Sequence, residues 1–192
     1  MITKYLNYLY NNINFQKKKE ANINLTYGEI LPNSVTKMFQ EINPNKDDVF
    51  YDFGSGFGKV VIHSYLLTPV KKSVGIEIVE ERNIIAEQSK ERLINGEHFK
   101  SKYKSIQFIQ DDFFNVDTSD GTIFYLCSTC FENNLMNQLY GKITQSPNLR
   151  YILTLKPFER TPTNPRIPTP KSITVPTSWN HSGSTCYIYH FG

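Results

Sequence analysis

Three carboxylates stand where apolar runs give out. Asp52 lies at the end of the run DDVFYDF, just before a turn G-S-G-F-G with Gly54, Gly56 and Gly58 at alternate positions. Glu77 closes KSVGIE, and Asp112 follows SIQFIQ in the string QDDFF. Glycines after a first strand let the backbone turn tightly and let a ligand come close to it. The G-x-G-x-G spacing is not the dinucleotide G-x-G-x-x-G. The phosphate loop fails too, because Val60 follows Gly58-Lys59 where a magnesium-binding hydroxyl is needed. A carboxylate before the turn repels a pyrophosphate and attracts an ammonium. An acid ending a second strand can accept both hydroxyls of a ribose. An acid and an aromatic ending a third, Asp112 and Phe113, can accept from an adenine amine and pack on its ring. The ligand described is a nucleoside with a cationic amino-acid tail, and S-adenosylmethionine has that chemistry. Any one of these acids also reads as a turn or cap residue, as Asp47, Asp48, Asp111 and Asp117 do. The expectation rests on their joint placement.

Three strand ends meet only if the strands are parallel neighbours, so the intervening segments must be crossovers. The pattern agrees. PNSVTKMFQEI carries Val35, Met38, Phe39 and Ile42 at helical spacing behind Pro32. DDVFYDF reads as a buried strand and GKVVIHSYLL as a helix stopped before Pro69. KSVGIEI is a second strand, and the helix after it is expected to face Ile84, Ile85, Ser89 and Leu93 inward. SIQFIQ, GTIFYLC and RYILTLKPF are further strands, with the helix ENNLMNQLYGKI before the last. This alternation predicts an α/β chain whose parallel sheet is covered on both faces. PFERTPTNPRIPTP is too rich in proline for strand or helix and is expected to be a surface loop. KSITV and CYIYHF then pair antiparallel at the sheet edge.

The chain also resembles the disruptor-of-telomeric-silencing family, the non-SET lysine methyltransferases that modify histone in the nucleosome. The resemblance covers most of residues 27–191. It is carried by YGE at 27–29, VFYDFGSGFGKVV, VGIE, DDFF, LTLKPF, and SW followed by CYIYH. It implies the class I S-adenosylmethionine-dependent methyltransferase fold: Rossmann-like, a mostly parallel seven-stranded sheet with an antiparallel C-terminal strand pair. It implies a catalytic domain over 27–192, preceded by a helical or extended segment over 1–26. It implies that Tyr27, Gly28 and Glu29 close over the methionine end of the cofactor. Asp52, Phe53, Gly54, Ser55, Gly56 and Gly58 would hold its amino-acid end, Glu77 and Ile78 the ribose, and Asp112 and Phe113 the adenine. Trp179 and Tyr187 would line an acceptor channel, with Phe131 a further candidate wall that also reads as core packing. The family's paired asparagines after the fourth strand are replaced by Cys127 and Ser128, which puts Ser128 among the catalytic candidates. Ile30 stands where the family typically has a hydroxyl. Of the lysine-rich nucleosome-binding extensions only QKKKE remains, so Lys17, Lys18 and Lys19 are the candidate contacts to nucleic-acid phosphate or an acidic protein face. Other acceptors, a small molecule or a non-histone protein, and a non-catalytic binding scaffold, stay open alongside a protein-lysine substrate.

Composition excludes little else. The 192 residues suit one domain, net charge is +3, and charged residues make up 20%. No apolar run suits a membrane span, and the N-terminus lacks a signal-peptide core, so a soluble intracellular protein, nuclear or cytoplasmic and monomeric, is expected. Three cysteines argue against a disulfide framework, and Cys127-x-x-Cys130 lacks the further ligands of a zinc site. No metal is expected.

Overall fold

The computed structural model describes residues 2–10, 28–96, 104–162, 164 and 166–192. Tyr27, Lys17, Lys18 and Lys19, all singled out above, lie outside these. The chain forms helix α1 (Ile2–Leu9), α2 (Pro32–Ile42), β1 (Val49–Phe53), α3 (Lys59–Leu67), β2 (Lys72–Glu77), α4 (Glu80–Asn95), β3 (Ser105–Gln110) and β4 (Ile123–Leu126). A single 3-10 turn (Ser128–Cys130) precedes α5 (Asn133–Ile143), β5 (Tyr151–Thr154), β6 (Lys171–Val175) and β7 (Ser184–His190).

All seven strands join one sheet in the order β3-β2-β1-β4-β5-β7-β6. β1 to β5 pair parallel, and β7 runs antiparallel between β5 and β6. The order reverses between β1 and β4. A doubly wound sheet opens a crevice at such a point, beyond the carboxyl ends of its strands. Asp52 on β1 sits opposite Gly75 of β2 and Tyr125 of β4, and Glu77 sits opposite Gln110 of β3.

The two faces of the sheet carry two apolar cores. On one, Phe50, Ile123, Tyr125 and Leu153 pack under α1 to α4 through Leu9, Val35, Met38, Phe39, Ile62 and Leu93. On the other, Tyr51, Phe53, Phe124 and Ile152 pack under α5 through Met136, Leu139, Tyr140 and Ile143. The helical spacing in α2 is realised: Val35, Met38, Phe39 and Ile42 are all buried, Pro32 takes the first position, and Asn43 ends the helix at φ 42°.

Two expectations are corrected. Ile84 is 47% exposed, while Ile85, Ala86, Ser89 and Leu93 make the buried stripe of α4. Ile84 and Ile85 are adjacent, about 100° apart around a helix, so only one can lead the buried face. The proline-rich stretch is irregular, as its composition requires, yet it is not only surface. Phe158 and Ile167 are buried in the second core beside Tyr189, and the Phe158 amide donates to the Tyr189 hydroxyl at 2.9 Å. The segment packs against α5 as well, with the Phe158 and Tyr140 ring centroids 5.1 Å apart.

Candidate active site

The crevice at the switch point is a cavity of about 840 Å³. Its floor is the glycine turn. Gly54, Gly56 and Gly58 have φ of 78°, 56° and 77°, values that L side chains rarely adopt. The Gly54 and Ser55 amides donate to the Ile76 carbonyl at 2.9 and 3.0 Å, which ties the turn to the end of β2. The Gly56 amide donates to Glu77 Oε2 at 2.8 Å, and the Val79 amide to Glu77 Oε1 at 3.0 Å. Glu77 therefore braces the turn as well as facing the cavity, and a carboxylate's remaining lone pairs stay available to a ligand. Arg82 Nη1 stands 3.9 Å from Glu77 Oε1.

Asp52 is 2% exposed, and its Oδ1 has no hydrogen-bond partner. Burial, then the neighbouring Glu77 charge, pushes its carboxyl well above the ordinary carboxylate range. Ser55 Oγ and Tyr125 Oη are likewise buried, unpartnered and on the cavity wall. Native proteins leave few such atoms. Three at one site mark a place built for a polar guest, and a buried carboxylate favours a cationic one.

On the far side, Phe113 stacks on Phe53 with centroids 5.4 Å apart and planes 4° from parallel. Phe53 is fully buried and backs Phe113 without lining the cavity. Asp112 Oδ1 accepts from the Phe114 amide at 2.9 Å, and Asp111 Oδ1 from the Asp112 amide at 2.7 Å. The two acids thus shape the turn that presents Phe113. Ile78 and Phe114 are exposed on the cavity's rim.

The mouth is closed by two segments distant in sequence. The Ser178 amide donates to the Glu29 carbonyl at 2.8 Å, the Glu29 amide donates to Ser178 Oγ at 3.0 Å, and Ile30 bridges Thr177. Trp179, 44% exposed, lies on Gly28, where a Cβ would stand 2.4 Å from its ring. Glu29 accepts from Lys59 Nζ at 2.7 Å, and that ammonium also sits 5.2 Å from the Tyr10 ring centroid. The Tyr10 hydroxyl donates to the Phe57 carbonyl at 2.8 Å. Helix α1 is thereby linked to the glycine turn, a connection that no local sequence signal carried.

Gly28, Glu29, Asp52, Gly54, Ser55, Gly56, Glu77, Ile78, Asp112, Phe113 and Trp179 come together on this cavity, while Gly58 caps α3 just behind it. Tyr187 and Ser128 do not line it. Tyr187 pairs with Thr154 across β7–β5 and packs on the second core. Ser128 is fully buried: its Oγ lies 2.5 Å from Thr154 Oγ1 and accepts from the Lys156 amide at 3.1 Å. It is a joint between the 3-10 turn and β5, and its side chain does not line the cavity. Phe131, Thr129, Cys130 and Glu132 of the same loop do reach the cavity, and Lys156 Nζ holds the loop through the Phe131 carbonyl at 2.7 Å. Burial and the Asp52 charge push the Cys127 thiol up to about 12, which keeps it protonated and a poor nucleophile. Among the described residues no group of three or more His, Cys, Asp or Glu could hold a metal, and no helix is long and apolar enough to cross a membrane.

Similar proteins share this frame. An RNA methyltransferase of Salinibacter ruber, solved in complex with S-adenosyl-L-homocysteine, superposes with a TM-score of 0.59 at 22% identity over 82% of this chain and 90% of that one, a likeness of fold. The histone-lysine N-methyltransferase of Caenorhabditis elegans, H3 lysine-79 specific, is 28% identical over 128 residues, 62% of this chain. A protein-lysine N-methyltransferase of Saccharolobus islandicus is 33% identical over 89 residues, 46% of this chain. The chain spans 13% of the length of the first relative and 51% of the second. The sheet's strand order, the acids on its carboxyl rim and a family model that runs over residues 5–173, from α1 into β6, agree: this chain belongs to the family described as histone methylation protein DOT1.

Proposed function

We propose that this domain is an S-adenosyl-L-methionine-dependent methyltransferase acting on a lysine side-chain amine of a protein, of the histone kind. The observation that carries the reading is the buried, unpartnered Asp52 carboxylate beside Glu77 on the rim of a methyltransferase-type sheet. Asp52 would receive the ammonium of the cofactor's amino-acid end, and Ser55 Oγ its carboxylate. Glu77 would accept from the ribose hydroxyls, with the adenine against Phe113 and Ile78 and Asp112 at its amino group. When bound, the cofactor supplies a methyl group on a cationic sulfur whose departure leaves a neutral thioether.

The protein's own task is then to position and to desolvate. Positioning a nucleophile in line is worth up to about 7–11 kcal/mol. A lysine also needs to shed a proton, since with a reference pKa near 10.4 only about one amine in 2,500 is neutral at pH 7. The Trp179 and Phe131 rings at the cavity mouth disfavour the charged form once the side chain is seated among them. Glu132 on the same rim gives a cation a reason to approach. The name of the Caenorhabditis elegans relative, and the family's own, support a histone acceptor.

The test is incubation with methyl-labelled cofactor and, separately, nucleosomes, free histones and cell lysate. Label on histone lysine is the expected result. Label confined to other proteins moves the acceptor elsewhere, and label only in small molecules overturns the protein-substrate reading.

A further inference from the structure

We propose that Tyr125 is an unassigned half of the ammonium site: its Oη, with Asp52 Oδ1, accepts hydrogen bonds from one primary ammonium at the cavity floor. The reading deepens the proposed function, because the ammonium is taken to be that of a methionine-type tail. Tyr125 and Asp52 are Cα partners in the β1–β4 pairing, so their side chains leave the sheet on the same face. Both are buried, at 1% and 2% exposure, both line the cavity, and neither oxygen accepts a hydrogen bond. The polar neighbour of Tyr125 is the Cys127 thiol, a weak partner.

The two oxygens constrain their guest. Had they been bonded to each other, the phenol would satisfy the carboxylate and no ligand would be called for. They are not bonded to each other, and one group satisfies both as acceptors only by donating to both. A water could donate twice but would leave the buried negative charge uncompensated. An ammonium has three donors, no acceptor and the opposite charge. Burial holds the phenol neutral, well above its ordinary range, so it accepts through a lone pair and keeps its own hydrogen for the Cys127 sulfur. The adjacent strand positions cannot do this: Phe124 and Leu126 face the second core.

The test compares two probes on the full chain by calorimetry: S-adenosylhomocysteine, and its deaminated analogue in which hydrogen replaces the α-amino group. Tyr125→Phe removes only the oxygen. It is expected to weaken S-adenosylhomocysteine about tenfold or more and to leave the analogue unchanged, as loss of one hydrogen bond to a charged group predicts. The melting temperature of the unliganded variant should change little, since the deleted hydroxyl's polar neighbour in the free protein is the weakly bonding Cys127 sulfur. Equal weakening of both probes, or no weakening of either, overturns the assignment. If the native protein binds neither probe, the cofactor reading itself falls and takes this one with it. Native binding of S-adenosylhomocysteine that is indifferent to Tyr125→Phe sinks only the role of Tyr125.

Discussion

At Asp52, burial and charge act against each other, and their balance is measurable. Its folded-state carboxyl titrates above the ordinary 3.8, chiefly through burial and then through Glu77. A raised acid binds its proton more tightly in the folded state, so its contribution to stability is complete below that ordinary value and is lost as pH rises through the folded one. The unfolding free energy of the native protein, compared with Asp52→Asn, should therefore fall with pH above about 4, at up to about 1.4 kcal/mol per unit. Urea denaturation at several pH values reads this difference, and a flat difference would contradict the buried placement. A cationic ligand reverses the preference, so affinity for S-adenosylhomocysteine should climb over the same window in the native protein and not in Asp52→Asn. That Asp52 matters was legible from its place before the glycines. That Tyr125 stands beside it was not, because IFYL is buried on both faces and shows no alternation.

Among elements, the informative joint is the loop after β4. A strand end followed by C-S-T-C-F invites the inference that both of its first residues face the ligand, and the structure separates them. Cys127 lines the cavity, whereas Ser128 turns into the 3-10 helix and is clasped by Thr154 and the Lys156 amide. One residue of rotation at the end of a strand decides this, and the sequence carries no marker for it. Ser128→Ala removes the hydroxyl that accepts from the Lys156 amide and pairs with Thr154 Oγ1, which keeps its bond to the Lys156 carbonyl, and this costs about 0.5–1.5 kcal/mol. Chemical denaturation should record that loss, while S-adenosylhomocysteine affinity, measured well below the melting temperature, should stay within about twofold since the side chain does not line the cavity. A selective loss of affinity at unchanged stability would return Ser128 to the site.

For the whole molecule, segments far apart in sequence are tied together around the cavity: the end of α1 through Tyr10, the 28–31 segment through Lys59 and Ser178, and the glycine turn through Glu77. A ligand seated there should stabilise the domain as a unit. At a hundred times its dissociation constant, S-adenosylhomocysteine should add about 2.7 kcal/mol and raise the melting temperature by roughly 5–10 °C for a chain of this size. A thermal-shift titration checks this, with Asp52→Ala losing the shift. The amino-acid order alone determined that strands and helices alternate, that Pro and Gly stop them where they do, and that Asp52, Glu77 and Asp112 fall at strand ends. These are local properties of periodicity and turn chemistry, visible within a dozen residues. Only the tertiary structure decided that Trp179 closes over Gly28, that Ile84 faces water, that the proline-rich strap buries Phe158 and Ile167, and that Tyr125 Oη meets the same space as Asp52. Those outcomes depend on strand order, facing and close packing between segments far apart in the chain, where no single stretch contains both partners.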